Sequence, residues 1–327
     1  MQMTRRELIR LAALGGALQA GGFAMAQDGY PKQPIRMVVP FTPGSATDVI
    51  GRTVGERLEK TLGQPVVVDN RPGAGGTLGA AMVAAANADG YTLLVHSAGH
   101  VANAALYPAL KYDTQKDFTP VSMLASLPNV MVTSPANGFT SLQDLVQKVR
   151  AQPDRYTYAS AGNGSATHIN AEKFRIAVGI KATHVPYRGT PEAITGVIAG
   201  HVTWYFAPLV SALALIRDGK LQALAVGSAT RSPLLPDTPT TVESGYPGSD
   251  YLFWVGMFLP ARTPADIAQR LHAATVAALN SPEVRTRLEQ LGAVTTPMSQ
   301  EDFAALVAAE MKATAALIRQ AGIRVEG

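Results

Sequence analysis

The stretch that decides the fold is IRMVVPF at residues 35–41, which TPGSATD follows at residues 42–48. The first segment is short, apolar and rich in β-branched residues, which indicates a buried strand. A Pro-Gly turn comes next, and a helix is predicted from about Thr47 to Leu62. A strand, a glycine-containing turn and a helix in this order predict one unit of an α/β fold.

The same order of elements recurs along the chain. Helix starts are indicated at residues 190–191, 263–264 and 281–282, where a hydroxyl N-cap precedes proline at the first helical position. From Pro264 onward the chain is predicted to be mainly helical. The alternation predicts parallel, doubly wound sheets. Further strands are predicted at residues 66–68, 91–96, 129–133, 156–160, 183–185, 202–206 and 221–227.

The length of the chain predicts two domains, because 327 residues exceed the usual size of one. Residues 231–248, rich in proline, threonine, serine and glycine, predict a return connection rather than a sheet element. We therefore expect two Rossmann-like lobes, one formed by residues 27–125 plus 253–327 and the other by residues 126–252. The chain would cross between these lobes twice, which is the arrangement of a hinge.

The first 26 residues have the pattern of a signal peptide. Arg5 and Arg6 precede a modestly apolar, glycine-interrupted stretch that ends in Ala-Met-Ala at residues 24–26. The paired arginines favour the twin-arginine export route. We therefore expect a periplasmic protein that is cleaved near Ala26. The alternative is a membrane anchor, but the apolar stretch is shorter than the roughly 20 residues that span a bilayer.

Charge and composition exclude several classes of protein. The net charge is +4, and three arginines and one glutamate of the chain lie within residues 1–26, so the mature chain carries only about +2. No long basic run remains, which argues against nucleic acid or an anionic membrane as a partner. The absence of cysteine excludes disulfides, thiolate nucleophiles and cysteine metal ligands.

Motifs of catalysis, nucleotide binding and metal binding are missing from the sequence. The glycine-rich segment at residues 73–79 has no Lys-Ser or Lys-Thr ending, so a turn that packs closely on a helix is the favoured interpretation. His96 and His100 are four residues apart, but no nearby carboxylate completes a metal site. Neither a Gly-x-Ser-x-Gly elbow nor a His-Glu-x-x-His helix occurs. We expect no enzyme activity, no cofactor and no metal.

Several separated motifs carry a resemblance to a known family. They include YPKQPIRMVVPFTPG at residues 30–44, GQPVVVDNRPGAGG at 63–76, DGYTLL at 89–94 and VPYRG at 185–189. Together they closely resemble the Bug family of periplasmic substrate-binding proteins of tripartite tricarboxylate transporters. The resemblance covers essentially the whole mature chain, in order, and agreement at so many separated motifs is highly specific.

The resemblance implies a type II-like periplasmic-binding-protein fold with a hinge and a central cleft. It also implies that main-chain amides, small hydroxyls and ordered water hold a small carboxylate, which the protein, expected to be a monomer, delivers to membrane permease subunits. Two other functions remain open. One is a ligand sensor that signals to a receptor or kinase, and the other is a periplasmic hydrolase.

Two glycine-bearing turns are the expected carboxylate site, because each exposes N–H groups at a helix N-terminus. They lie at residues 43–48 and 162–165, beyond the carboxyl ends of predicted strands, where ligands of open α/β sheets bind. The ligand is expected to contact residues in and around these turns, namely Phe41, Pro43, Gly44, Ser45, Thr47, Asp48, Ser97, Ala161, Gly162, Gly164, Ser165, His168, Tyr187, Arg188, Gly189, Thr203 and Tyr205.

Some of these positions have a second interpretation. Asp48 is also expected to cap its helix, His168 suits a structural hydrogen bond, and Arg188 suits either a solvated loop or a second ligand carboxylate. The family usually has glycine where Ser45 stands and often has aspartate where Thr203 stands. Because an acidic group at that strand would meet a ligand ammonium, its absence predicts an anionic, non-amino ligand, either an aliphatic dicarboxylate or an aromatic carboxylate.

Overall fold

A computed structural model of the chain describes residues 29–153 and 155–323, and its main compact body begins at Gln33. The predicted signal peptide therefore lies outside the described residues. The strands are β1 (Ile35–Val39), β2 (Val66–Asn70), β3 (Thr92–Ser97), β4 (Phe118–Leu127), β5 (Asn129–Thr133), β6 (Thr157–Ser160), β7 (Thr183–Pro186), β8 (Trp204–Pro208), β9 (Gln222–Val226), β10 (Phe253–Pro260) and β11 (Val294–Thr295). The helices are α1 (Ala46–Leu62), α2 (Thr77–Ala84), α3 (Gly99–Leu106), α4 (Leu142–Ala151), α5 (Ala166–Val178), α6 (Thr190–Ile198), α7 (Leu209–Arg217), α8 (Ala265–Asn280), α9 (Pro282–Glu289) and α10 (Gln300–Ala321).

Six strands of the described chain form one sheet, in the order β11-β4-β10-β3-β1-β2. β1 is parallel to both β2 and β3, and its side chains are almost all buried because helices cover both faces of a parallel sheet. β10 runs antiparallel to both β3 and β4. The sheet is therefore mixed, and the prediction of wholly parallel sheets was wrong. The chain comes to β10 from the other sheet, and β10 starts beside the carboxyl end of β3. It therefore runs in the opposite direction to β3.

A second sheet has the order β7-β6-β8-β5-β9. β6 is parallel to β7 and β8, whereas β5 is antiparallel to β8 and β9. Alternation along β8 sends its side chains into two cores. Trp204 and Phe206 pack on one face with Phe174, while Tyr205 and Ala207 pack on the other. All four of these side chains are buried, so the aromatic run of β8 belongs to the core.

The chain passes between the two sheets at two connections. The first is short, because β4 ends at Leu127 and β5 begins at Asn129. The second runs from Val226 at the end of β9 to Phe253 at the start of β10, and it contains the return segment that composition indicated. The predicted lobe boundaries at 125/126 and 252/253 fall within or close to these connections. They stay a prediction.

The sequence did not reveal two of the long strands, β4 and β10. β4 contains Pro120 and several small polar residues, and its pairing with β10 is interrupted by two register shifts. Such a strand shows no clean alternation, so long-range pairing decides its conformation. The fold class itself, α/β with two Rossmann-like halves, is confirmed. No helix among the described residues is long and apolar enough to cross a bilayer.

Helix starts agree with the proline signal in one case of three. Ser281 is the N-cap of α9 with Pro282 behind it, as predicted. For α6, however, the N-cap is Gly189 and Thr190 is already helical, while Pro264 itself is the N-cap of α8. A hydroxyl before proline thus located each helix but missed two of the boundaries by one residue.

Candidate functional site

Two helices, α1 and α5, begin in closely matching ways, one beside each sheet. The loop after β1 reaches Gly44, with φ of +84°, and then Ser45 as the N-cap. The loop after β6 reaches Gly164, with φ of +76°, and then Ser165 as the N-cap. Each serine hydroxyl accepts the N–H of the third helical residue, at 3.4 Å in α1 and 3.3 Å in α5.

Four main-chain N–H groups at these helix starts have no hydrogen-bond partner among the described residues. They belong to Ala46 and Thr47 of α1 and to Ala166 and Thr167 of α5. The first N–H groups of any helix lack an intrahelical acceptor, and the helix dipole adds partial positive charge there. All four residues are buried, with at most 2% of their surface exposed. Two helix N-termini therefore present unsatisfied donors together.

The four residues line one small cavity between the two helix starts. Its volume is about 10 Å³, close to the roughly 10–15 Å³ that one water molecule requires. The hydroxyls of Ser97 and Thr190 border it, as do Phe41 and Ala161. A site with this many donors and no acidic side chain in its wall favours an anionic oxygen.

A larger cavity of about 830 Å³ adjoins the small one, and Phe41 and Ala161 line both. Its volume falls within the roughly 300–1,000 Å³ of typical small-molecule sites. The charged side chains of its wall are Arg188 and Glu192. The other lining residues are mainly apolar, aromatic or glycine, namely Pro40, Phe41, Gly73, Ala74, Gly75, Gly76, Tyr107, Pro108, Ala109, Ala161, Gly162, Asn163, Pro186 and Tyr187.

The loops of the two sheets contact each other around these cavities. An ideal Cβ on Gly75, whose φ is +62°, would lie only 1.8 Å from the Asn163 carbonyl oxygen, so this contact requires glycine. Hydrogen bonds join the two sides from Thr42 Oγ1 to Glu192 Oε2 at 3.1 Å, from Ser211 Oγ to the Gly44 carbonyl at 3.2 Å, and from the Tyr107 hydroxyl to the Asn163 carbonyl at 2.9 Å.

A different side chain holds each glycine turn in place. The Asp48 carboxylate accepts the Gly44 N–H at 2.9 Å, and it also accepts from Arg52 Nε at 3.0 Å and from Asn70 Nδ2 at 2.9 Å. On α5 the residue at the same place is His168, whose Nδ1 accepts the Gly164 N–H at 3.2 Å. The proton of the neutral imidazole is therefore on Nε2.

His168 lies in a buried stack of rings behind the loop. Its ring centroid is 4.0 Å from that of His184, and His184 Nε2 is 2.7 Å from Ser160 Oγ, which also bonds the Gly162 main chain. Burial lowers the pKa of His168 to about 4 and that of His184 to about 3. Both rings are therefore neutral at pH 7, and they support the loop without a charge.

A family model matches residues 50–323 of this chain. The family is described as the Tripartite tricarboxylate transporter family receptor. The chain belongs to this family. The resemblance that the sequence motifs carried is thus confirmed, and receptors of this family are periplasmic solute-binding proteins.

Relatives of the receptor agree with this placement. It is 34% identical to Protein BugT of Bordetella pertussis, over 100% of both chains. Its structure superposes with a TM-score of 0.85 on MatC from Rhodopseudomonas palustris with bound malate, at 35% identity and covering 88% of this chain and 100% of that one. For the R. palustris protein Rpa4515 with adipate, the TM-score is 0.87 at 33% identity, covering 90% and 99%.

The structure brings about half of the expected ligand residues of the receptor to the two cavities. Phe41, Ala161, Gly162, Tyr187 and Arg188 line the larger one. The small one is lined by Phe41 and Ala161 again together with Ser45, Thr47, Ser97 and Ser165.

The remaining expected residues line neither cavity. Gly44, Asp48, Gly164 and His168 belong to the two turns, where the glycine N–H groups donate to Asp48 and His168 and so hold the loops in place. Pro43 is an exposed residue of the first turn. Gly189 is the N-cap of α6 and lies against Thr42. Tyr205 is buried in the core, with its hydroxyl 3.2 Å from Thr190 Oγ1.

Thr203 is the expected residue that the structure places farthest from the site. It precedes β8, whose opposite end, Pro208, lines the small cavity. The Thr203 side chain accepts the Thr157 N–H at 3.2 Å and borders a separate polar cavity with Arg155. Four residues of extended strand separate Thr203 from Pro208 at the cleft, so the identity of Thr203 cannot decide whether the ligand carries an ammonium group. The acidic residue that does line the larger cavity is Glu192.

The sequence contained one signal for the site that went unused. Residues 44–47 and residues 164–167 are both Gly-Ser-Ala-Thr, and each tetrapeptide starts one of the two facing helices. This short repeat pointed to Ala46, Ala166 and Thr167, which were not expected at the site. The glycine-rich residues 73–76 and the loop at residues 107–109 gave no such signal, because only the approach of the two sheets makes them cavity walls.

His96 and His100 lie behind the cavity wall rather than in it. Their ring centroids are 4.9 Å apart, and aromatic rings including Tyr112 and Phe118 surround His100. Burial lowers the pKa of His96 to about 4 and that of His100 well below its usual value. Within the part of the chain that the structure describes, no group of three or more histidine or acidic side chains is arranged to hold a metal ion.

Proposed function

We propose that this receptor captures a small carboxylate between the starts of α1 and α5 for a tripartite tricarboxylate-type transporter. The observation that carries the proposal is the set of four unpaired, buried N–H groups of Ala46, Thr47, Ala166 and Thr167 around one small cavity. A carboxylate oxygen is a strong acceptor, and a charged acceptor forms the stronger kind of hydrogen bond with main-chain donors. The malate and adipate bound to the two solved relatives support a carboxylate as the ligand.

The two cavities suggest how the ligand lies. The small one suits a single water molecule, so we place the carboxylate at its mouth, beside Phe41 and Ala161, with a water bridging to the deeper donors. The rest of the ligand then extends into the larger cavity toward Arg188. This placement uses both helix starts at once, so a carboxylate binds tightly only when the two sheets approach each other.

We propose that residues 27–125 plus 253–327 and residues 126–252 act as lobes that close on the ligand about the two connections. The hydrogen bonds between loops of the two sheets, such as Thr42 with Glu192, support such a closed arrangement. Small-angle X-ray scattering of the mature protein should show a smaller radius of gyration when ligand is added. An unchanged radius at saturating ligand would contradict the proposed hinge.

We propose binding without catalysis. Ser165 is the only serine within one helical turn of His168 along α5, and its hydroxyl accepts the His168 N–H rather than bonding the imidazole. The imidazole Nδ1 is occupied by the Gly164 N–H, so the pair is not arranged as a nucleophile and its base. Proton NMR of bound ligand over a day should show no new species.

We propose that the receptor is exported through the twin-arginine route, cleaved near Ala26, and works as a monomer that hands its ligand to the membrane subunits. The paired Arg5 and Arg6 support the route. Replacing both arginines by lysine should leave the precursor in the cytoplasm. Mature protein in the periplasm at the normal level would indicate a different export signal.

The main test is a binding screen with the mature protein. Thermal shift with succinate-like, phthalate-like and amino-acid ligands should show stabilisation by at least one carboxylate, since a ligand at a hundredfold excess over Kd adds roughly 2.7 kcal/mol. Mass spectrometry of material that co-purifies with the native protein should identify a carboxylic acid. Stabilisation by neutral sugars alone, with no carboxylate binding, would refute the proposed function.

A further inference from the structure

The larger cavity indicates which carboxylate the receptor takes. Resting on the proposed function, we infer that the ligand is an aromatic dicarboxylate, with one carboxylate at the two helix starts and the second, on the far side of the ring, at Arg188. This class differs from the aliphatic acids malate and adipate found in the two solved relatives. The walls, the polar groups and the charges of the cavity each support it.

Six of the sixteen residues that line the larger cavity are proline or aromatic, and seven are glycine or alanine. Phe41 stands at the junction with the small cavity, and proline and aromatic side chains form much of the remaining wall. Tyr187 presents its ring to the cavity, while its hydroxyl is directed at α6, where an ideal Cβ on Gly196 would lie only 2.2 Å away. Flat apolar surfaces of this kind bind the faces and edges of an aromatic ring.

Polar side chains are a minority in the wall of the larger cavity, namely those of Tyr107, Asn163, Tyr187, Arg188 and Glu192. The Tyr107 hydroxyl donates its proton to the Asn163 carbonyl at 2.9 Å, so it can only accept a hydrogen bond from a ligand. Away from these side chains the hydroxyl of an acid such as malate would meet apolar wall, and an unpaired buried hydroxyl is costly. A four-carbon acid in a cavity of about 830 Å³ would also leave much of the cavity wall without contact. A ring fills more of this space and loses no hydrogen bond.

The charges distinguish the far end of the ligand. Arg188 forms no ion pair with any residue that the structure describes, so its guanidinium is available to a second carboxylate. Glu192, the other charged residue of the wall, accepts from Thr42 at 3.1 Å and lies in the first turn of α6, where the helix dipole stabilises a carboxylate without a ligand cation. A second anion therefore suits this end better than an ammonium group.

The first experiment is calorimetry of the mature protein with five probes. They are benzene-1,4-dicarboxylate, benzoate, 4-(aminomethyl)benzoate, adipate and malate. The aromatic dicarboxylate should bind about tenfold or more tightly than adipate or malate. It should also bind roughly fivefold more tightly than benzoate, as expected for an exposed ion pair. Arg188→Gln should weaken binding of the aromatic dicarboxylate more than binding of benzoate and so remove the fivefold difference.

The second experiment tests the position of the ring. Ala109 lines the larger cavity and is exposed, so Ala109→Phe fills the cavity without disturbing the core. This variant should lose at least about tenfold in affinity for the aromatic dicarboxylate, because the added ring takes its space. The matched control is Ala105→Phe, the same change at an exposed position of α3 outside the cavity, which should bind like the unmodified protein.

The outcomes separate the ligand class from the proposed function. Malate or adipate binding more tightly than the aromatic dicarboxylate would overturn the aromatic class and leave carboxylate capture intact. Tighter binding of 4-(aminomethyl)benzoate than of the dicarboxylate would assign the far end to Glu192 instead of Arg188. If Ala105→Phe lost as much affinity as Ala109→Phe, the result would contradict the placement of the ligand ring in the larger cavity. Binding of none of the five probes would instead refute the proposed function.

Discussion

The start of α1 and the start of α5 carry the same four residues, Gly-Ser-Ala-Thr, but the next residue differs. In α1 it is Asp48, a carboxylate with three donors around it, including the guanidinium of Arg52. In α5 it is His168, a neutral ring stacked on another histidine. Both side chains accept the N–H of the glycine before the N-cap. The same loop geometry is thus reached once by an ionic network and once by an uncharged buried stack.

This difference has a physical consequence for an anion site. A carboxylate behind α1 opposes a bound anion, and the ion pair with Arg52 at 3.0 Å offsets that repulsion. A neutral imidazole behind α5 adds no repulsion, but it depends on staying unprotonated. The α1 side should therefore be sensitive to loss of its network, and the α5 side to acid.

The largest expected effect comes from removing a donor on either side. Proline is accepted at the first helical position after serine, as Ser281 and Pro282 of α9 already show. Ala46→Pro and Ala166→Pro should therefore preserve the fold but delete one unpaired N–H each. We expect roughly a hundredfold loss of carboxylate affinity in both, measured by calorimetry.

The control for the proline variants is Gln300→Pro. It makes the same change at the first position of α10, after the N-cap Ser299 and outside both cavities. Affinity should not change in this variant. If only one of the two cleft prolines weakened binding, the ligand would rest on one helix start, and the equivalence of the two sides would be lost.

The next effect concerns the ionic side. Asp48→Ala should lower the free energy of unfolding by about 2 kcal/mol, because the buried Asp48 carboxylate accepts hydrogen bonds from Gly44, Arg52 and Asn70 and all three are lost. Urea unfolding measures the change. Arg52→Gln is the control, and it should cost only about 0.5 kcal/mol because an exposed arginine contributes little. Equal losses in the two variants would mean that the ion pair, and not the turn, supplies the stability.

The third effect concerns the neutral side and its response to pH. The pKa of His168 is about 4 in the folded protein, below the usual 6.5 of an unfolded histidine, so the unfolded chain binds more protons between these values. Stability is therefore complete above pH 6.5 and falls as the pH drops toward 4. The loss due to His168 alone is on the order of 1 to 2 kcal/mol between pH 6.5 and pH 5.

The matching variant for the pH effect is His168→Asn. Its side-chain oxygen replaces Nδ1 as acceptor for the Gly164 N–H and does not titrate. Because His96 and His184 also have lowered pKa values, the comparison is between the slopes of the two proteins rather than with a flat line. An identical slope of unfolding free energy against pH in both proteins would show that His168 is not the sensitive group.

Which features of the two helix starts could be predicted from the sequence depends on whether the interactions that form them are local or long-range. Local signals were sufficient for β1, the glycine turns and the serine caps, because a strand run, a positive φ and an N-cap are all determined by a few neighbouring residues. The two glycine turns whose residues line the small cavity were therefore identified from the sequence. The expected place of Thr203 in the cleft does not agree with the structure for the opposite reason. Which end of a strand faces the cleft depends on the topology of the whole sheet.

The other cavity walls could not be predicted, because they exist only where two sheets meet. Gly75 lies next to Asn163 in space and 88 positions away along the chain. Ala109 belongs to a loop without any motif, yet it forms part of the larger cavity. No periodicity or propensity encodes such contacts, which follow from the packing of elements that are distant in sequence.

The smallest expected effect tests whether the two serine caps are equal. Ser45 and Ser165 accept their helix N–H groups at 3.4 and 3.3 Å, whereas Ser141 and Ser299 do so at 3.1 and 3.0 Å. Hydrogen bonds weaken as they lengthen, so alanine at Ser45 or Ser165 should cost about 0.5 kcal/mol, against about 1 kcal/mol at the other two.

Chemical unfolding of the four single alanine variants, without ligand, measures this order. With saturating carboxylate the cost at Ser45 and Ser165 should rise toward that of the other caps, because a bound anion draws the helix starts together and shortens both bonds. The control variant is Ser299→Ala, whose cost should not depend on ligand. A rise at Ser165 without a rise at Ser45 would show that the ligand is anchored on α5 and that α1 only covers it.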